Sequence, residues 1–397
     1  MKDREILYLT FDGLGSPLGY SQVVRPLIAL AQRGFRYRVL SMEHEADLAD
    51  PARVARVRAA LTSHGVAWDA LPYGPDRADN VRRMLARAAR LPRPRLVHCR
   101  SYLAGVVGLA LRARWGTPYL FDARGYWVDE RLAQGAWFNG ALRLGAARFV
   151  EHRLYRNARA IVMLTDVGAD DVRRHVFGRW TGVPVVTIPT CVDYDEFALR
   201  FDADVAQDAR PLAGRLVLGH LGSINASYRI DVTLDLSARV LRQRADAHLL
   251  CLTPQIDEMR RLVAEHGVDP GRVTVRSVDH DRVAPWVRAM DWGLMLLESS
   301  FAKRGSMPTK LAELFASGVR PVAHGCNDDV RRWVERAGTG ITLPDLDERS
   351  VARAADAIVR GVTDEGALRA GRELTRPHFD LGRGADAYAA LIGEILG

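Results

Sequence analysis

The sequence has 397 residues, 48% hydrophobic and 26% charged, a balance that fits a soluble globular protein long enough for two domains. A formal net charge of +8 favours anionic partners such as nucleotides or an anionic membrane surface, while the lack of an aromatic-rich RNA signature, zinc finger or long basic tail argues against nucleic acid. No apolar tract nears the ~18 residues of a membrane span, the first residues run from charges into a strand pattern, and Cys99, Cys191, Cys251 and Cys326 lack disulfide or metal-ligand spacing, so we expect a cytoplasmic protein without a metal site.

In chain order, residues 6–10 form a short β-rich run followed by the glycine-rich text FDGLGSPLGYSQ, a helical pattern over 23–33 and a second strand over 37–41. This β-α-β unit places Gly13, Gly15 and Gly19 where Rossmann-like sheets bind ligands. Their spacing departs from the dinucleotide fingerprint, yet Glu43 after the second strand imitates a ribose-binding acid, so an NAD enzyme is a rival reading. Arginine-rich helices over 53–61 and 80–90 flank a small strand at 68–72; they read as solvated faces or as a basic surface for anionic lipid. The strand at 96–99 ends in His98, Cys99, Arg100 and Ser101, and the strand at 119–121 ends in FDARGYWVDER. That text puts Asp122, Arg124, Tyr126, Trp127, Asp129 and Glu130 on one loop. The aromatics could stack on a sugar while Arg124 stabilises a departing phosphate; the alternative is a buried Asp–Arg pair that fixes the loop. Strands at 160–164 and 185–188 enclose a helix over 167–176, and Asp193-Tyr194-Asp195 reads as a turn rather than a metal grip.

Residues 200–215, polar with Pro211 and Gly214, read as a linker, after which the plan restarts with a strand at 216–219, a tight loop over Gly222-Ser223-Ile224-Asn225 and a helix over 230–242. Strands at 247–252 and 273–276 and a helix at 283–290 lead to an apolar run over 292–297 and the stretch ESSFAKRGSMPTKLAELFASGVRPV. Here Pro308 opens a helix that Ser317 and Gly318 stop, with Lys303, Arg304 and Lys310 crowding its N-terminus, an arrangement suited to an anion. Of 56 basic residues only Lys2, Lys303 and Lys310 are lysine, so two of the three lie in this loop, where a compact point charge suits a phosphate oxygen. Glu313, three residues after Lys310, faces the same side and suits sugar hydroxyls; the plain alternative is an ordinary exposed Lys–Glu pair. A strand at 321–323, a Gly338-Thr339-Gly340 turn, a helix over 350–360 and a last helix over 384–396 follow.

The segments FDGLGSPLGYSQ, HCRSY, FDARGYWVDE and KRGSMPTKLAE, in that order, resemble the group 1 glycosyltransferases of the bacterial surface-polysaccharide branch, retaining enzymes of the GT-B fold. The resemblance implies an α/β protein of two Rossmann-like domains facing across a cleft. Residues 1–199 would form an acceptor domain, 200–215 a linker, 216–376 a nucleotide-sugar domain, and 377–397 a helix returning to the first domain. Glu313 matches the ribose-holding glutamate that ends the family's Glu-x7-Glu motif, while Gly305 stands where its first glutamate belongs. The resemblance implies donor contacts from Gly15, Ser223, Lys303, Arg304, Ser306, Pro308, Thr309 and Glu313. It implies acceptor contacts from Gly19, Tyr20, Arg100, Tyr126, Trp127 and Glu130, and catalytic roles for Asp122, Arg124 and Lys310. No cofactor or metal beyond the nucleotide-sugar is expected, and a lipid-linked or glycan acceptor would place the enzyme at the inner face of the membrane.

The family's Arg and Lys after the 216–219 strand are missing here, replaced by Ser223, Asn225 and Ser227. Either the basic loop at 303–310 has taken over the phosphates or the donor carries a single phosphate. An NAD(P)-dependent oxidoreductase and a catalytically inactive assembly partner of the same fold are the alternatives.

Overall fold

The structure, a computed structural model, describes residues 5–135, 140–174, 182–279 and 282–397. Lys2 and the last two residues of the helix expected over 167–176 lie outside the described residues. The chain divides into two compact units, residues 1–189 with 381–397, and residues 190–380.

The first unit is built on a seven-stranded parallel sheet. Its strands are β1 (Glu5–Thr10), β2 (Arg36–Glu43), β3 (Ala67–Pro72), β4 (Leu96–Arg100), β5 (Tyr119–Asp122), β6 (Ala160–Met163) and β7 (Val185–Thr187), in the order β3-β2-β1-β4-β5-β6-β7. β4 and β5 are buried along their whole length, as expected of a sheet covered on both faces. On one face, Val97, Phe121 and Ile161 pack with the Ser101–Trp115 and Ala141–Asn157 helices, neither of which the sequence reading contained. On the other, Ile6, Val39 and Val162 pack with the Arg25–Gln32 helix and with Tyr388, Leu391 and Ile392 of the Leu381–Leu396 helix. Arg33 fixes that second pairing by reaching Asp386 at 2.7 Å and the Gly382 carbonyl at 2.8 Å. The first helix departs from the pattern expected over 23–33: a π-turn over Tyr20–Val24 precedes Arg25–Gln32.

The second unit repeats the plan with six parallel strands, β8 (Leu216–Leu221), β9 (Ala247–Leu252), β10 (Val273–Arg276), β11 (Trp292–Met295), β12 (Arg320–His324) and β13 (Ile341–Leu343). Their order is β10-β9-β8-β11-β12-β13. In both sheets the order reverses between the first and fourth strands, the switch point at which such folds bind ligands beyond the strand C-termini. The Thr309–Ser317 helix lies against β11 so closely that a Cβ on Gly293 would fall 2.3 Å from Leu314, and Gly318 ends the helix at a φ of +65°. The helix expected over 283–290 is a single turn, Ala284–Val287.

Residues 200–215 belong to the second unit. Arg200 pairs with Asp291 at 2.9 Å and donates to the Met290 carbonyl, and a 3-10 turn runs over Gln207–Leu212. Asp193 accepts from the backbone N–H groups of Asp195 and Glu196, and Tyr194 is buried with its hydroxyl donating to Thr375, so the Asp-x-Asp text forms a turn.

Candidate functional site

Each unit presents ionisable residues at the switch point of its own sheet. In the second unit, β8 ends at Leu221 and the chain turns through Gly222 at a φ of +101°, a conformation that favours glycine. The loop that follows is held by Gln255, whose amide accepts from the Ile224 N–H at 2.9 Å and donates to its carbonyl at 2.8 Å. Tyr228 then forms an antiparallel bridge with Leu297, and the Glu298 N–H donates to the Ser227 carbonyl, so the loops after β8 and β11 zip together.

Both lysines of the 301–310 segment reach into this seam. Lys303 Nζ donates to Ser227 Oγ at 2.9 Å. Lys310, in the first turn of the Thr309–Ser317 helix, donates to the Leu221 carbonyl and stands 3.7 Å above the Tyr228 ring. Asn327 secures the basic loop by donating to the Lys303 and Ser306 carbonyls at 2.5 and 2.6 Å, and Thr190 donates to the Met307 carbonyl at 3.0 Å. Arg304 lies beside Asp328 at 3.7 Å and next to Phe301. Pro308 occupies the cap position, one residue before the helix, rather than its first turn.

Burial sets the electrostatics here. It pushes the Lys310 ammonium down to about 7, against the pull of the Glu313 charge, and pushes the Glu313 carboxyl up to about 7, against the pull of Lys310. His220 is held down to about 3, first by burial and then by the Lys310 charge. Lys310, half-buried, and Glu313, buried, therefore form a pair near a neutral titration point, not the exposed helix pair that was the plain alternative. Gly305 is buried in the Phe301–Gly305 turn, and Ser223 is exposed on the loop after β8.

In the first unit the glycine loop is clamped by Glu43. Its Oε1 accepts from the Leu14 N–H at 2.9 Å, its Oε2 from the Gly15 N–H at 3.3 Å, and Ser41 Oγ, itself bonded by Trp68 Nε1, donates at 2.5 Å. Both carboxylate oxygens are committed to the loop, which is the physical objection to Glu43 as a nicotinamide-dinucleotide ribose ligand. Ser16 caps the next turn by accepting from the Gly19 N–H at 3.0 Å, and a Cβ on Gly19 would fall 1.9 Å from the Gly13 carbonyl oxygen. Tyr20 is half-buried, with Arg56 lying 5.9 Å from its ring centre.

At the ends of β4 and β5, Arg100 is buried and bonds Asp12 at 2.6 Å. Asp122, also buried, lies 3.9 Å from Arg100 and 3.7 Å from Arg124, and its Oδ1 has no hydrogen-bond partner. Arg124 takes a φ of +63° and Gly125 one of +133°; for an arginine the left-handed region costs ~1–2 kcal/mol, a strain typical of functional loops. His98, packed against Tyr8 and Tyr388, is held down to about 4 by burial.

The aromatic pair of this loop does not sit as the sequence suggested. Tyr126 is fully buried and its hydroxyl donates to Asp171 at 2.7 Å, so it presents no face for a sugar. Trp127 stacks on Tyr102 at 5.9 Å beside an apolar cavity, and Glu130 is half-buried on the Trp127–Ala133 helix. Asp12, Tyr228, His220 and Gln255 are the site residues that the sequence reading missed. Asp12 stands directly after β1, the position that could have revealed it; the other three carried no signal.

Residues 19–191 match the family model of the glycosyl transferase 4-like domain. The whole chain is similar in fold to many solved structures, three of which follow. Sucrose-phosphate synthase from Thermosynechococcus elongatus is 18% identical, with 99% of each chain covered and a TM-score of 0.66. Anabaena HepE in complex with UDP-glucose is 14% identical, with 98% of this chain and 99% of that one covered and a TM-score of 0.71. The α,α-trehalose 6-phosphate synthase from Burkholderia multivorans is 13% identical, with coverage of 100% and 99% and a TM-score of 0.67. No curated protein sequence matches the chain.

Proposed function

We propose that this chain, a glycosyltransferase by its N-terminal domain match and its fold, moves a sugar from a nucleotide-sugar to a glycan or lipid-linked acceptor in bacterial surface-polysaccharide biosynthesis, with retention. The observation that carries the donor side is the half-buried Lys310, held at the end of β8 by the Leu221 carbonyl and the Tyr228 ring with the buried Glu313 one turn on. That is a cation beside a carboxylate at a switch point, the pairing that a nucleotide's phosphate and ribose require. HepE, bound to UDP-glucose in its solved structure, supports a nucleotide-sugar as the ligand class.

The chemistry follows from charge. As the glycosidic bond to the nucleotide breaks, negative charge grows on the leaving phosphate. Lys310, Lys303 and the N–H groups at the start of the Thr309–Ser317 helix would stabilise it, and Glu313 would hold the ribose. Both lysines reach the loop after β8, which supports the reading that they stand in for the missing Arg and Lys. In the first unit Arg124 and Asp122, with Arg100 and Asp12, would orient the acceptor hydroxyl. The donor's own phosphate oxygen can take its proton on the face the nucleotide leaves, which gives retention. Among the described residues no helix is long and apolar enough to cross a membrane, so contact with a lipid-linked acceptor would be peripheral, at the inner face.

A thermal-shift panel tests the reading. UDP, GDP, ADP or CMP should raise the melting temperature by mass action while NAD(H) and NADP(H) leave it unmoved. A response to NAD alone would return the case to the oxidoreductase. Nucleotide binding without transfer to any acceptor would favour the inactive assembly partner.

A further inference from the structure

We propose that the Ala141–Asn157 helix of the first unit docks on an anionic lipid bilayer, and that a lipid hydrocarbon chain enters the cavity beneath it; this rests on the lipid-linked acceptor reading. Along this helix Leu142 is 91% exposed, Phe149 63% and Val150 40%. Leu142, Phe149, Arg153 and Arg156 recur at spacings of seven, four and three, so they share one face. Every exposed ionisable side chain on the helix is an arginine: Arg143, Arg153 and Arg156. The remaining cation, Arg148, is committed to Asp129 at 2.5 Å and Glu151 at 2.6 Å. Protruding apolar groups flanked by cations alone complement a surface that is negative outside and hydrocarbon within.

Under the same helix lies a cavity of about 310 Å³ lined by Leu103, Val106, Trp127, Ala147 and Val150, with Arg143 among its edges. Tyr102 and Glu151, which also line it, are already satisfied within the protein. Tyr102 donates to Glu151 at 3.0 Å and shares a bond with Tyr155 at 2.7 Å, and Glu151 takes Arg148. A ligand with its own hydrogen-bonding groups would gain nothing there, whereas a methylene chain fits, with an anionic headgroup at Arg143. Arg153 and Arg156 extend the cationic surface by two further turns of a helix about 25 Å long.

The full chain would be sedimented with vesicles of phosphatidylcholine alone and of phosphatidylcholine mixed with phosphatidylglycerol. Binding is expected only to the mixed vesicles, falling at least about tenfold in Leu142→Ser with Phe149→Ser and in Arg153→Glu with Arg156→Glu. Phosphatidylglycerol with brominated chains should quench tryptophan emission, and Trp127→Phe should reduce that quenching. Equal binding by wild type and the serine variant would overturn the proposal, and so would quenching that Trp127→Phe leaves unchanged. Failure of the wild type to bind, with self-association that the serine variant abolishes, would give the face to a second copy and also overturn it. A nucleotide-induced thermal shift on the same samples separates this result from failure of the glycosyltransferase reading. The serine variant should keep that shift.

Discussion

Replacing Lys310 by Met keeps an unbranched side chain, one atom shorter, and removes its charge, which largely separates electrostatics from packing. Because burial already pushes the ammonium down to about 7, methionine should leave stability unchanged or slightly raised. The loss should appear in turnover: one charge-assisted contact made to the leaving phosphate is worth ~3 kcal/mol, close to a hundredfold in kcat/KM. The pH profile gives a second, independent reading. Lys310 and Glu313 both titrate near 7 and are coupled, so the pair passes from a net charge of +1 at low pH, with lysine charged and carboxyl neutral, to −1 at high pH. A bound phosphate favours the positive state. Nucleotide affinity should therefore be highest below about pH 7 and weaken above it, about tenfold per unit (~1.4 kcal/mol) for each of the two protons that the complex retains and the free pair loses. Calorimetric titration of UDP between pH 6.5 and 8.5, in wild type and in Lys310→Met, measures this directly. An affinity independent of pH in the wild type, or an unchanged kcat/KM in the variant, would refute the assignment of Lys310 to the phosphate.

Glu43→Ala strips the acceptor from two backbone N–H groups and should cost about 2–3 kcal/mol, read as a lower melting temperature, without creating or abolishing any response to NAD. Arg124→Gly should leave stability within about 1 kcal/mol, since glycine accepts a φ of +63°, yet lower turnover about a hundredfold; full activity would remove Arg124 from the mechanism. Lys303→Ala combined with Arg304→Ala would be compared with UDP-glucose, UDP-glucuronic acid and a CMP-linked acidic sugar as donors. Selective loss of the acidic donors would mean that the pair recognises a sugar carboxylate, and equal loss for all three would mean that it holds phosphate.

The sheets were largely legible because their strands are short apolar runs bounded by glycine and charged turns, and β11 ran shorter than its apolar text, ending at Met295. The Ser101–Trp115 helix hid because it has no single apolar stripe. Gly105 packs on Phe121 and Gly108 on Cys99, so its apolar residues spread around the axis. The Ala141–Asn157 helix hid for a related reason, since it carries apolar side chains on its exposed face as well as its buried one. At the site, the lysines were found by composition and Glu313 by its distance from Lys310. The Arg100–Asp12 bond joins residues 88 apart and the Glu43–Leu14 bond residues 29 apart, and no local pattern encodes such pairings. A loop aromatic with charged neighbours looks the same in sequence whether it faces a ligand or, as Tyr126 does, a buried carboxylate.

The first unit is discontinuous: Tyr388, Leu391 and Ile392 complete its core, and Tyr388 backs His98, yet they follow the whole of residues 190–380 in the chain. During synthesis that core must wait, with Ile6, Tyr8 and Leu120 lacking their cover, until the ribosome has made the second unit and the Leu381–Leu396 helix emerges. A chain interrupted anywhere before residue 388 would expose an apolar groove along the Arg25–Gln32 helix and leave His98 without its neighbour. The first unit therefore cannot close its core before the second has been made, which couples the folding of the two even though each has its own sheet.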